Sequence, residues 1–105
     1  MVRNQSTIDT VTQFANAIRE QGVNLRAVIL FGSYARGDER EWSDIDVALV
    51  SDEFIGVPFE DIKQFIDVTI QKPYFFIEPH TFNTKEFEKG NAFVEEIRRT
   101  GVQIV

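Results

Sequence analysis

The sequence predicts an α/β (α+β) domain in which helices pack mainly on one face of a small mixed β-sheet. Three observations carry this expectation. Near the N-terminus, Ile8, Val11, Phe14, Ala15 and Ile18 recur at helical spacing. Three short apolar runs of strand length follow: RAVILF at 26–31, IDVALV at 45–50 and YFFIE at 74–78. Glycine, proline and polar clusters separate these runs, and more helical spacing lies between and after them.

Taken in order, the first helix spans 7–21, with Ser6 and Asp9 resembling a capping box and Gly22 as its stop. RAVILF is the first strand. Residues 33–37 form one helical turn closed by Gly37, and IDVALV is the second strand. Pro58 suits the first turn of a helix whose apolar face is Phe59, Ile62, Phe65 and Ile66. The segment EFIGVPF at 53–59 is apolar for a loop and reads either as a surface for a partner or, in preference, as tucked into the core. YFFIE is the third strand, ended by Pro79. Thr84 caps a helix through Phe87; Phe93, Val94 and Ile97 continue it or start another, and VQIV after Gly101 adds an edge strand.

The 105 residues suit one domain over 1–105, with 43% hydrophobic residues and ten phenylalanines to fill its core. A net charge of -6 repels polyanions, so extended nucleic acid and anionic membrane are disfavoured partners. The absence of cysteine excludes disulfide frameworks and thiolate zinc sites. No apolar run approaches the ~18 residues of a membrane span, and no apolar leader opens the chain, so a cytoplasmic protein is expected.

The chemistry concentrates in FGSYARGDEREWSDIDVALV, residues 31–50. Residues two apart on a strand share a face about 7 Å apart. Asp44 and Asp46 therefore share one face, and Ile45, Val47 and Leu49 the other. Like charges so placed call for a cation, and Mg²⁺ typically bridges one or two carboxylates to substrate phosphates. Gly32 and Ser33 supply the phosphate side, because backbone N–H groups at a strand-to-helix turn favour anions. Arg36 lies one turn on. The run is neither a P-loop, lacking GK[ST], nor an EF-hand. Tyr34 and Trp42 read as packing residues, and His80, the only histidine, as structural or solvated.

Gly32-Ser33, ten residues, then Asp44-Ile45-Asp46 resembles the G-S-x10-D-x-D signature of the nucleotidyltransferase superfamily related to DNA polymerase β. The whole run resembles the minimal (MNT-type) nucleotidyltransferases of prokaryotes. That resemblance implies a nucleotidyltransferase-like catalytic domain and transfer of a nucleoside monophosphate, with AMP from ATP as first choice, to a hydroxyl. It implies two Mg²⁺ ions, with Mn²⁺ as an alternative, held by Asp44, Asp46 and a third carboxylate. No Asp stands in the third run, so Glu78 takes that place as ligand and base. Gly32, Ser33, Arg36 and Ser43 become the nucleotide-binding residues. The resemblance also implies a helical HEPN-type protein partner, in the manner of an antitoxin, with a second copy of the chain as the other candidate to complete the site. The alternative function is a catalytically weak module that keeps the fold and acts by partner binding.

Overall fold

The computed structural model describes residues 5–41 and 43–104; Trp42 lies outside them. The elements run α1 (Gln5–Glu20), β1 (Leu25–Phe31), α2 (Ser33–Arg36), β2 (Ile45–Ser51), α3 (Pro58–Asp61), a 3-10 turn (Ile62–Phe65) and α4 (Ile66–Thr69). A second 3-10 turn (Lys72–Tyr74), β3 (Ile77–Asn83), α5 (Thr84–Lys89), α6 (Ala92–Thr100) and β4 (Val102–Gln103) complete the order. The four-stranded sheet has the order β3-β2-β1-β4. β1 is antiparallel to β2 and β4, whereas β2 and β3 run parallel.

Strand alternation divides the core into two layers. Val28, Leu30, Val47 and Leu49 pack with Val11, Phe14 and Ile18 of α1 and with Phe65 and Val68. Ile29, Phe31, Ala48 and Val50 face the other way, onto Phe87, Val94 and Ile97 of α5 and α6. Burial on both faces is why β1 and β2 read as continuous apolar runs rather than alternating ones. α1 and the 62–69 segment cover one face as expected, and the second face has its own, shorter helical cover. Tyr34 packs against the first layer. No described helix is long and apolar enough to cross a membrane.

The third strand lies later than the sequence suggests. Residues 72–74 form a 3-10 turn, and the strand runs from Ile77 through Pro79 to Asn83. Proline is tolerated because β3 is an edge strand. The Ile45 N–H donates to the Phe76 carbonyl at 2.7 Å. In a parallel ladder that turns the N–H groups of 78, 80 and 82 toward β2 and position 79 toward the open edge.

Three local expectations also change. α1 already includes Gln5, so Ser6 offers its carbonyl to the Thr10 hydroxyl inside the helix (2.9 Å) instead of capping it. Asn83, not Thr84, caps α5 by accepting from the Lys85 N–H at 3.0 Å; of the two readings of Phe93, Val94 and Ile97, the separate helix holds, with Asn91 as its cap. After Pro58 the buried positions are Asp61, Phe65 and Val68, while Phe59 is 77% exposed and Ile66 about half exposed. Asp61 turns that helix inward. Its carboxylate accepts from the Ile55 and Gly56 N–H groups at 2.9 Å each and from the Thr81 hydroxyl at 2.7 Å. Within 53–59 only Phe54 enters the core; Ile55, Val57 and Phe59 remain exposed.

Candidate functional site

β1 ends at Phe31, whose register partner on β2 is Asp46. The next residue, Gly32, turns the chain with φ 75° and ψ -152°, a conformation that essentially only glycine adopts. Its carbonyl accepts from the N–H groups of Ala35 and Arg36, both at 3.1 Å, which starts α2. A Cβ added to Gly32 would stand 2.4 Å from the Asp46 Oδ2. Backbone and carboxylate therefore meet where a side chain could not fit.

Parallel pairing sets Asp46 beside Glu78 and Ala48 beside His80, so all these side chains point to one face. The His80 Nε2 is 3.2 Å from the Asp46 Oδ1 and 4.0 Å from the Glu78 Oε1. One ligating atom from each of the three lies within 4.8 Å of the others. The Asp46 and His80 side chains are about a quarter exposed and that of Glu78 about half. Behind them the His80 ring meets Phe31 at 5.0 Å and Phe93 at 6.1 Å, both edge-on. Two carboxylates and an imidazole, open on one side and walled by aromatic rings on the other, fit a divalent cation.

The other expected residues stand differently. Asp44 is exposed, one residue ahead of β2, and outside the three-residue cluster. The Ser33 carbonyl accepts from the N–H groups of Gly37 and Asp38. Arg36 pairs with Asp38 through its Nε at 3.3 Å, and both are exposed. The Ser43 Oγ accepts from the Arg40 N–H at 2.8 Å and its N–H donates to the Arg40 carbonyl at 3.0 Å, closing the turn that delivers Asp44. Sequence reading left His80 out of the site. The signal for it is the period of two from Glu78, legible only once the strand continues through Pro79.

Comparison with known proteins shows what the chain resembles. The family model described as a nucleotidyltransferase domain matches residues 11–100. A Methanocaldococcus jannaschii protein named "Putative protein adenylyltransferase" is 46% identical over 43 residues, 40% of this chain and 43% of that protein. The match thus spans less than half of that relative. Among solved structures, a toxin-antitoxin with AMP-PNP aligns with a TM-score of 0.62 at 16% identity, covering 90% of this chain and 71% of that one. A "putative nucleotidyltransferase" from Sulfolobus solfataricus aligns with a TM-score of 0.57 at 22% identity, covering 98% and 89%. Both structures share the fold.

Proposed function

The chain belongs to the nucleotidyltransferase domain family, and from that premise we propose that it transfers a nucleoside monophosphate, AMP from ATP, to a hydroxyl on a protein partner. The observation that carries the reading is the seat of the Gly32 turn against Asp46, with Glu78 beside it in the register of the sheet. A phosphate-binding backbone and a carboxylate pair there share one small space.

Asp44, Asp46 and Glu78 are the residues that would hold Mg²⁺ or Mn²⁺, Asp44 completing the set from the loop side. When bound, two such ions stabilise the attacking and leaving oxygens of an in-line displacement. The chain's own residues position and neutralise. The backbone at Gly32 and Ser33 receives phosphate oxygens. Arg36 can leave its exposed pairing with Asp38 at little cost, because such surface pairs are worth about 0–1 kcal/mol. Ser43 holds the turn behind Asp44. Glu78 takes the proton of the attacking hydroxyl as the new oxygen–phosphorus bond forms and pyrophosphate departs.

Three features support a protein acceptor. The relative from M. jannaschii is named a protein adenylyltransferase. A fold neighbour is a toxin-antitoxin solved with AMP-PNP. The net charge of -6 disfavours a polynucleotide. A helical HEPN-type protein fits this role, with a second copy of the chain as the alternative. The competing reading, a weakly active module that works by binding, draws on the exposed Phe59, Phe75 and Phe76. The test is incubation with α-labelled ATP, Mg²⁺ or Mn²⁺ and a co-expressed helical partner. Label on the partner, lost in Asp46→Asn, supports transfer. Tight partner binding without label supports the module.

A further inference from the structure

We propose that Phe93 is the nucleobase platform of the site: the base of the nucleoside triphosphate stacks on its ring, and stacking area favours a purine over a pyrimidine. This deepens the reading above and rests on it for the triphosphate. Phe93 is the second residue of α6, whose first turn is fixed by the Asn91 side chain accepting from the Val94 N–H at 2.9 Å. Its neighbours Val94 and Ile97 are buried, whereas Phe93 stays 47% exposed. The ring is nevertheless held on the protein side, by Phe31 at 5.7 Å, Phe82 at 6.0 Å and His80 at 6.1 Å between centroids. A fixed, half-open aromatic ring therefore abuts the carboxylates through His80, whose Nε2 lies 3.2 Å from the Asp46 Oδ1.

The direction of the reaction selects the base as its occupant. In an in-line displacement the attacking and leaving oxygens stand on opposite sides of the phosphorus, and its other substituents are equatorial. On the reading above, pyrophosphate lies toward the Gly32 turn after β1 and the attacking hydroxyl toward Glu78 on β3, so their line crosses the strands. The nucleoside, as an equatorial substituent, leaves that line at right angles. One such direction runs past the strand ends into solvent. The other follows the sheet face that carries Asp46 and Glu78, from Glu78 to His80 to Phe82, and meets Phe93. The ribose separates the phosphorus from the base much as His80 separates Phe93 from Asp46. A phenyl ring offers area and no hydrogen bond, so it accepts every base and is best covered by a purine.

The experiment measures binding without any acceptor. Calorimetry with Mg²⁺ compares wild type, Phe93→Leu and Phe93→Trp, each checked for a cooperative melt. The probes are the α,β-methylene analogue of ATP, which cannot release pyrophosphate, and inorganic tripolyphosphate, which has no base. Phe93→Leu keeps the apolar packing and removes the stacking face. It should weaken the ATP analogue roughly 5–20-fold, the lower part of what losing one base–aromatic stack costs, and leave tripolyphosphate unchanged. Phe93→Trp should bind the analogue at least as tightly as wild type. In the wild-type complex, the adenine H2 and H8 protons should show nuclear Overhauser contacts to the Phe93 ring. Equal losses for both probes in Phe93→Leu make Phe93 a packing residue and overturn the platform, as does unchanged affinity for the analogue. Should Phe93→Leu not fold, the wild-type contacts decide alone, and their absence from a formed complex overturns the proposal. If tripolyphosphate binds and Asp46→Asn abolishes that binding, failure at Phe93 leaves the transferase reading standing. If neither probe binds with Mg²⁺ or Mn²⁺, both fall.

Discussion

The Cβ that Gly32 lacks would stand 2.4 Å from the Asp46 Oδ2. Gly32→Ala therefore meets two penalties, a steric one against Asp46 and a conformational one at φ 75°. The expected loss of stability is roughly 1–3 kcal/mol from the backbone alone, read by urea unfolding. The displaced carboxylate should also abolish the rise in melting temperature caused by Mg²⁺ with ATP. An alanine variant that keeps both would show that this approach matters to neither fold nor site.

Ligand-induced stabilisation tests the carboxylates directly. At a hundredfold excess over Kd, a bound ligand adds about 2.7 kcal/mol. Mg²⁺ with a nucleoside triphosphate should raise the melting temperature of the wild type, and the double variant Asp44→Asn, Asp46→Asn should show no rise. The single Asp44→Asn separates the two positions. Asp44 is exposed and outside the cluster, so its loss should weaken binding less than that of Asp46.

Asp61 has a structural role that is independent of the site. It is 2% exposed and accepts two backbone N–H groups and the Thr81 hydroxyl. Asp61→Ala leaves these donors without their acceptor, and each buried unsatisfied donor costs about 1–3 kcal/mol. A destabilisation of roughly 2–4 kcal/mol is expected by chemical denaturation, with a smaller loss in Asp61→Asn, which keeps one acceptor oxygen. A change below about 0.5 kcal/mol would mean that water replaces the carboxylate.

How much of this was legible in the sequence depended on whether local pattern and tertiary context agreed. β1, α2 and β2 could be read almost to the residue, because apolar runs and glycine turns fix them locally. Asp46 and Gly32 came with them. β3 could not be placed, because Pro79 argues against a strand wherever the edge is unknown, and being an edge is a property of the sheet. Stopping at Pro79 cut His80 from the site and left Glu78 at a strand end instead of inside a ladder. The face of the 58–69 segment was misread for a similar reason. A buried carboxylate at Asp61 makes sense only once Ile55, Gly56 and Thr81 are known to surround it.

Pro79 yields its own test. With its nitrogen turned to the open edge, it gives up no ladder hydrogen bond. Pro79→Val should then change stability by no more than about 1 kcal/mol, the span of strand propensities. The new N–H restores an edge that can pair, so self-association should increase with concentration in sedimentation velocity. Strong destabilisation instead would place the Pro79 position inside the ladder.

Transfer itself is best tested at Glu78. The residue sits in register with Asp46 on the parallel strand and is half exposed toward the open side of the cluster. Glu78→Gln keeps size and one oxygen ligand but cannot take a proton. A fall of roughly 10²–10⁴ in label transfer from α-labelled ATP is expected, with nucleotide binding retained. If Asp46 and Glu78 work around the same cations, their losses must not add. The double variant Asp46→Asn, Glu78→Gln should then be little worse than Asp46→Asn alone. Ser33→Ala should cost less than either, because the backbone N–H groups of the turn stay in place. Multiplying losses in the double variant would assign the two carboxylates to separate tasks. Unimpaired transfer in Glu78→Gln would move the base elsewhere, with His80, 3.2 Å from Asp46, the neighbouring proton acceptor to test next.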